Sequence, residues 1–217
     1  MKLRYATSLL LAMSSCSTID LNRVAPGYIE AFQQAKGLVY GVDNPYITDD
    51  LIKNIPYASS ILQIGTGAPG LIILESKKNS SETWVSSDGV FLVIKKGKII
   101  KTQGLNNNLV DSLIPKQYFK DSLGDVKFNF YLSYDEPKLD NLKVEATNRV
   151  LNKELVAVGS QEMLLTLVEE TLSNSYLGWK VTNKYWKDEN GFTWRSEQYI
   201  SPRLPPFIIQ VTKKPAG

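Results

Sequence analysis

The chain has 217 residues, 43% of them hydrophobic, and its 25 basic and 22 acidic side chains leave a formal net charge of +3. A single cysteine and the absence of histidine exclude an intrachain disulfide framework and catalysis by Ser-His-Asp or Cys-His groups, and they remove the commonest metal ligand. Because no basic run stands out, a nucleic acid is not an expected partner. We therefore expect a domain that rests on its hydrophobic core, without a cofactor, a metal site or enzymatic activity.

The N-terminal segment is similar to the signal peptides of bacterial lipoproteins. Two basic side chains precede an apolar stretch at residues 5–13, and Cys16 follows closely. The stretch is much shorter than the roughly 20 residues of a transmembrane helix, and a basic start before a short apolar core is typical of a secretory signal. The resemblance implies cleavage after residue 15 and a lipidated, palmitate-bearing Cys16; the alternative is an ordinary signal peptide with a chance cysteine. Because Ser17 stands where Asp commonly marks inner-membrane retention, we expect an anchor in the outer membrane, at its periplasmic face.

After the signal peptide at 1–15, the chain divides into a lipidated tether at 16–26 and a domain at 27–217. Apolar residues at helical spacing predict a helix at 27–38, and a second helix is predicted at 44–55. Both lie near the start of the domain.

From residue 58 onward the pattern becomes that of short strands, rich in Ile, Val and Leu and separated by turn residues. A helical turn is predicted at 105–113, before Pro115. The segment 161–172 fits both a helix and a curved, largely buried strand, and we favour the strand because its neighbours are strands. The other strands are predicted at 58–64, 70–77, 83–87, 90–95, 98–103, 126–134, 142–150 and 207–213.

An aromatic hairpin at 179–200 is the clearest predicted element. If its loop is residues 188–191, Lys187 faces Phe192 and Tyr185 faces Trp194. This register points Trp186 away from Trp194 and Tyr185, and it predicts one buried face. The predicted members of that face are Trp179, Val181, Tyr185, Trp194 and Ile200. Together these patterns predict a mainly β fold: a single compact antiparallel β-sandwich or barrel-like domain with a few short helices near the N-terminus.

Three segments are distinctive when taken together: residues 84–89 with 96–105, residues 183–191 with 195–202, and the weaker 55–59. In this order they resemble the YjbF/GfcB family of lipoproteins. The resemblance implies an outer-membrane lipoprotein that assists exopolysaccharide or group 4 capsule secretion or assembly. It also implies two partners, an outer-membrane β-barrel protein of the YjbH/GfcD type and a periplasmic protein of the GfcC/YjbG type. Cys16 is the only position to which the resemblance assigns a function. For the other matching residues the resemblance implies a signature of the fold and not a site. They are Trp84, Tyr185, Trp186, Arg195, Ser196 and Gln198.

Trp186, Trp84 and Tyr199 are candidate contacts for a glycan or a partner protein. Aromatic faces stack on the apolar faces of sugars, but aromatic residues are also enriched in strands because they pack well there. We favour packing for these three residues. Trp186 is the best exception, because the predicted register points it away from the buried face.

Adjacent carboxylates occur at 49–50, 135–136 and 188–189. A glycosidase needs two carboxyl groups that flank the scissile bond. On turns and helix starts such groups are usually solvated, so no catalytic residue is assigned. Glu169 and Glu170 differ because they lie on an apolar strand, where pairing with a Lys or Arg is the expected arrangement.

Two main function classes remain open from the sequence. The first is a non-enzymatic lipoprotein that docks on an outer-membrane β-barrel partner or on the polymer. The second is a periplasmic module that binds an acyl chain or a glycolipid in a cavity lined by Leu164, Val168, Ile208 and Ile209. A filled core at those four positions would contradict the second class. A polysaccharide-modifying enzyme is a third, minor possibility.

Overall fold

Twelve strands of the described chain form one antiparallel sheet that curls into a nearly closed barrel. The structure is a computed structural model and describes residues 49–120, 126–158 and 161–216. In chain order the strands are β1 (Ser59–Ile64), β2 (Gly70–Lys78), β3 (Ser81–Ser86), β4 (Phe91–Lys95), β5 (Lys98–Gln103), β6 (Leu109–Leu113), β7 (Val126–Tyr134), β8 (Leu139–Val158), β9 (Gln161–Asn174), β10 (Trp179–Lys187), β11 (Thr193–Gln198) and β12 (Phe207–Lys213). Their order across the sheet is β5-β4-β3-β2-β1-β12-β11-β10-β9-β8-β7-β6.

Side chains join the two edge strands of this sheet, β5 and β6. The backbone N–H of Leu109 donates to the Thr102 hydroxyl at 2.9 Å, and the Ser112 hydroxyl donates to the carbonyl of Ile100 at 2.7 Å. We call this junction the seam. Because an open edge presents unpaired backbone groups, the seam protects both strands from pairing with other chains.

Two short helices accompany the sheet in the described residues. Helix α1 (Asp49–Asn54) leads into Ile55, which packs on β2 and β3. The 3₁₀ helix η1 (Lys116–Phe119) connects β6 to the segment before β7. Neither of these helices, within the part of the chain that the structure describes, has the length and hydropathy needed to cross a bilayer.

The interior is filled by residues that alternate along the strands, as the period of a β-strand requires. One hydrophobic cluster of the interior is formed mainly by residues of β1–β5 and β12, and a second is formed by residues of β6–β9. β2 is buried on both faces, because Ile72 faces the interior while Leu71 and Ile73 contact Ile55. The largest fully buried apolar side chains are Tyr134, Phe130, Phe207, Ile72, Leu92, Ile99, Leu109, Leu165, Leu172 and Val144.

The predicted fold class is confirmed, and the segment at 161–172 is a strand, β9. Its even-numbered residues Thr166, Val168 and Glu170 face the interior, whereas Leu165 and Leu167 pack on the opposite face. The strand predicted at 142–150 is longer than expected and runs from Leu139 to Val158.

The helical turn predicted at 105–113 is wrong, because this segment ends in the strand β6. Leu109 lies opposite Tyr134 of β7 and is only 2% exposed. Pairing and burial at the sheet edge therefore override the local preference of the segment, a common outcome for short apolar runs.

The predicted register of the β10–β11 hairpin is also wrong. Tyr185 pairs with Ser196 and Lys187 with Thr193, with a bulge between them. The Asp188 carboxylate accepts the backbone N–H of Phe192 at 2.9 Å and the ring N–H of Trp194 at 3.0 Å. The extra residue of the bulge is Trp194, which joins Trp186 in one cluster instead of lying with Tyr185.

Several predictions lie outside the described residues. These are the signal peptide at 1–15, the lipidated Cys16, the tether at 16–26 and the helix at 27–38. Of the second predicted helix, at 44–55, the structure describes the part from Asp49 onward, where α1 lies.

Candidate functional site

A cavity of about 500 Å³ is lined by residues of η1, β5, β8, β9, β10 and the turns that follow β4 and β10. We call it the lysine cavity. Among the described residues that line it, five are lysines and two are carboxylates. The lysines are Lys96, Lys98, Lys120, Lys153 and Lys187, and the carboxylates are Asp188 and Glu189. Lys98 is paired with the carboxylate of Glu170 below it, and Lys153 lies 3.1 Å from Glu189. The lysines still outnumber the carboxylates, and this excess of positive charge favours an anionic ligand.

A buried ion pair forms the floor of the lysine cavity. The Lys98 ammonium lies 2.7 Å from both carboxylate oxygens of Glu170, and the two residues are 6% and 0% exposed. Alternation along β9 turns Glu170 inward, and Lys98 is the first residue of β5, directly after the β4–β5 turn. Since a buried charge needs a partner, each residue makes the burial of the other possible.

Three further donors satisfy the Glu170 carboxylate. The hydroxyls of Tyr118 and Tyr185 donate to it at 2.6 and 2.9 Å, and the Asn183 amide donates at 2.9 Å. Burial opposes ionisation of Glu170, but Lys98 and these hydrogen bonds together outweigh it and lower the pKa of the carboxyl. The carboxylate therefore stays charged at neutral pH.

The two tyrosines are held in their neutral form. Burial, followed by the adjacent Glu170 charge, raises the pKa of both Tyr118 and Tyr185 well above 10.0. The Lys98 ammonium also lies over the rings of Tyr118 and Phe130, with 5.1 and 5.3 Å to the ring centroids. These contacts fix the orientation of the Lys98 side chain.

Gln198 ties β11 to the β4–β5 turn and so positions Lys98. Its side-chain oxygen accepts the N–H of Ile99 at 2.9 Å, and its side-chain nitrogen donates to the Gly97 carbonyl at 2.9 Å. Gln198 is 1% exposed. Because Lys98 lies between the two bonded backbone groups, its backbone cannot shift without breaking one of these bonds.

One polar atom in the wall of the lysine cavity lacks a partner. Among the described residues, no group donates a hydrogen bond to the buried side-chain oxygen of Asn148. A ligand hydroxyl or amine is the kind of group that this oxygen would accept from. The described residues also contain no group of His, Cys, Asp and Glu side chains arranged to hold a metal ion. The arrangement is thus suited to binding an anion that also carries hydroxyls.

The three candidate aromatic contacts lie in different surroundings. Trp84 is 2% exposed inside the first interior cluster, and its ring N–H donates to Glu82 at 3.3 Å. Trp186 is 9% exposed in another cluster, and its ring N–H donates to Glu154. Tyr199 is partly buried. Contact of these residues with a glycan or a partner stays a prediction, and burial limits such contact for Trp84 and Trp186 to their exposed edges.

The expected acyl cavity is not assembled from the four residues named for it. Val168 lines the lysine cavity, and Ile209, which packs in the interior core at 5% exposure, borders a neighbouring cavity, but Leu164 is 57% exposed. The lysines around Val168 would leave an acyl chain in contact with charged groups. The geometry therefore favours a polar, anionic ligand over an acyl chain.

Sequence reasoning found only part of this site. Glu170 was expected to pair with a Lys or Arg, and this prediction is confirmed by Lys98. Tyr185, Ser196 and Gln198 were assigned to the fold signature without a role. The contributions of Lys98 and Tyr118 were missed, because the partner of a buried carboxylate is selected by sheet closure and leaves no local signal.

Comparison with known proteins gives one family and several relatives. The sequence model of the YjbF family, described as the group 4 capsule polysaccharide lipoprotein GfcB, YjbF, matches residues 32–212. The uncharacterized lipoprotein YjbF of Escherichia coli K12 is 28% identical over 186 residues, which cover 81% of this chain and 84% of that protein. The uncharacterized lipoprotein GfcB of the same strain is 34% identical over 71 residues, which cover 32% of this chain and 33% of that protein.

A solved structure shares the fold. The crystal structure of the hypothetical lipoprotein YmcC from Escherichia coli K12 superimposes with a TM-score of 0.74, covering 89% of this chain and 97% of that one. The two sequences are 18% identical in the comparison, so the likeness concerns the architecture alone.

Proposed function

The chain belongs to the YjbF family of group 4 capsule polysaccharide lipoproteins, and on this basis we propose that it is a non-enzymatic binding component of an exopolysaccharide or capsule system. In this role it assists secretion or assembly of the polymer by holding the polymer, or a protein that carries it. The observation that carries the proposal is the lysine cavity, a large cationic cavity built on a rigid, hydrogen-bonded floor.

The proposed location is the periplasmic face of the outer membrane, with Cys16 as the lipid anchor. Support comes from the sequence, in which a basic start and a short apolar stretch precede Cys16 and no Asp follows it at Ser17. A lipid anchor would keep the barrel-like domain close to the site of polymer export.

The proposed protein partners are an outer-membrane β-barrel of the YjbH/GfcD type and a periplasmic protein of the GfcC/YjbG type. They follow from the family resemblance. The barrel-like domain offers two kinds of contact surface, the mouth of the lysine cavity and the outer faces of its strands.

The experiment is complementation of a strain that lacks the chain, with surface polysaccharide as the measurement. Wild-type protein should restore surface polymer, and a Cys16→Ser variant should not, because it lacks the anchor. A Lys120→Glu, Lys153→Glu double variant should restore little polymer, since it reverses two charges of the lysine cavity. The matched control reverses the exposed Lys101 and Lys143, which do not line the cavity.

Partner capture from membranes is the second arm of that experiment. Crosslinking should recover envelope proteins with the wild type and far fewer with Cys16→Ser. Unchanged polymer export in the deletion strain, or a set of partners that is mainly cytoplasmic, would contradict the proposal.

A further inference from the structure

A second cavity, of about 400 Å³, adjoins the lysine cavity and shares Lys96, Asn190 and Gly191 with it. We call it the arginine cavity. Among the described residues that line it, four are cationic and one is a carboxylate. The cationic residues are Lys77, Lys96, Arg195 and Lys214, and the carboxylate is Glu82. Two cation-rich cavities thus lie side by side, separated by the turns that follow β4 and β10.

The arginine cavity contains two buried polar atoms that are unsatisfied within the described part of the chain. They are the hydroxyl of Thr193, a residue that is 8% exposed, and the Nε of Arg195. An unsatisfied buried donor costs about 1–3 kcal/mol, so its presence calls for an explanation such as a ligand. Both groups can donate a hydrogen bond, which suits an acceptor-rich anion.

The Arg195 side chain is held by aromatic packing. Its guanidinium carbon lies 5.2 Å from the centroid of the Trp186 ring, and the ring N–H of Trp186 is in turn bonded to Glu154. A stacked guanidinium loses little conformational freedom when it forms a further hydrogen bond. Arg195 is therefore preorganised to bind a carboxylate.

The unsatisfied atoms of the two cavities differ in a way that selects the ligand. The arginine cavity offers the donors Arg195 and Thr193, whereas the lysine cavity offers an acceptor, the side-chain oxygen of Asn148. An acidic sugar supplies both complements, since its carboxylate accepts hydrogen bonds and its hydroxyls donate them. An acyl chain supplies neither. An acidic peptide supplies carboxylates, but its backbone donors are single N–H groups set between side chains, whereas a sugar ring carries hydroxyl donors on most of its carbons.

We propose that the two cavities form one extended site that binds consecutive residues of a carboxylate-bearing polysaccharide. This inference rests on the proposed function and specifies the polymer as acidic. Carboxylates of the polymer lie among the lysines, Arg195 and Thr193, and a hydroxyl of the polymer donates to Asn148. Because neighbouring sugars are covalently linked, occupation of one cavity raises the effective concentration of the next sugar at the other.

The first test is calorimetric titration of the full-length lipoprotein in detergent with three probes. An oligogalacturonate should bind, and a maltooligosaccharide of the same length should bind at least about tenfold more weakly, a difference of about 1.4 kcal/mol. A polyaspartate of matched charge should also bind more weakly, because its only donors are backbone N–H groups, whose spacing differs from that of the hydroxyls on a sugar ring. Equal binding of the neutral sugar or of polyaspartate would overturn the proposal.

The second test uses one variant in each cavity. Thr193→Val keeps the shape of the side chain and removes an unsatisfied hydroxyl, so it should leave the melting temperature unchanged or raise it while weakening oligogalacturonate binding several-fold. Lys153→Gln should weaken binding to a similar extent, and the control Lys143→Gln, at an exposed position outside both cavities, should not. Unchanged affinity in Thr193→Val, or an equal loss in Lys143→Gln, would refute the extended site.

The two proposals fail in distinguishable ways. If polymer export requires the chain but none of the acidic probes binds, the extended acidic-sugar site is wrong and the proposed function stands. If the oligogalacturonate binds as expected but export is unaffected by deletion of the chain, the proposed function is wrong and the site stands.

Discussion

The Lys98 ammonium contacts both carboxylate oxygens of Glu170 at 2.7 Å, and this ion pair joins β5 to β9, two strands that are not neighbours in the sheet. Both residues are buried, so the pair acts across the barrel interior and not at its surface. It fixes the floor of the lysine cavity and holds Tyr118 and Tyr185 in place through Glu170.

Removing one member of this pair should destabilise the fold strongly. Lys98→Met leaves the Glu170 charge buried without its cation, and breaking a buried pair typically costs about 3–5 kcal/mol. Chemical unfolding would measure the loss, and the double variant Lys98→Met, Glu170→Gln should lose less than the sum of the single variants. Additive losses would show that the two residues do not interact as the geometry indicates.

Stability should fall at acidic pH through Glu170 and Asp135. Burial opposes ionisation of both, but Lys98 and hydrogen bonds lower the pKa of Glu170 below 4.5, and hydrogen bonds from Asn108 lower that of Asp135 below 3.8. The unfolded chain therefore takes up protons first as pH falls, so the stabilisation is present above 4.5 and is lost as pH passes through the folded pKa values. Urea unfolding across this range should show the loss, with a weaker pH dependence in Glu170→Gln.

The seam should depend on the Thr102 hydroxyl. Thr102→Val keeps the shape of the side chain but leaves the buried N–H of Leu109 without its acceptor, at a cost of about 1–3 kcal/mol. Hydrogen exchange should show reduced protection of the Leu109 amide. Thr102→Ser retains the hydroxyl and should keep most of that protection; equal loss in both variants would argue against a hydrogen-bonded seam.

Two glycines should respond differently to alanine. Gly97 has a φ of +85°, and an added Cβ would lie 2.2 Å from the Thr193 hydroxyl, whereas Gly178 has a φ of +61° with nothing within 4 Å of that position. Gly178→Ala should therefore cost only the backbone strain of about 1–2 kcal/mol. Gly97→Ala should cost clearly more, because it also displaces β11 from the β4–β5 turn, and denaturant midpoints would rank the two.

Truncation of Trp186 should act on stability. The ring is 9% exposed and packs with a cluster on β8 and β9, so Trp186→Ala should cost about 3–5 kcal/mol. Tyr176, which is 91% exposed, is the matched control, and Tyr176→Ala should change stability by less than about 0.5 kcal/mol. A nearly unchanged melting temperature in Trp186→Ala would instead favour the contact role considered from the sequence.

The strands were largely predictable because their signal is local. β7 was predicted with its observed bounds of Val126–Tyr134. The tight turn between β4 and β5 contains Gly97, which accepts the positive φ of this turn without strain. β6 was missed, since its strand character depends on pairing with β7 and on burial of Leu109. The hairpin register was missed because Trp194 forms a bulge, which the Asp188 side chain stabilises. The bulge adds one residue to β11 that has no partner on β10.

The sequence by itself determined the β architecture, the resemblance to a lipoprotein family and the need of Glu170 for a buried cation. Each of these depends on residue types and on spacings within a few positions. Only the tertiary structure decided that the cation is Lys98, which lies 72 residues away along the chain, and that the lysines of separate turns and strands surround one cavity. The physical reason is that closure of the sheet brings distant residues together, and the energy of a buried charge depends on which of them it meets.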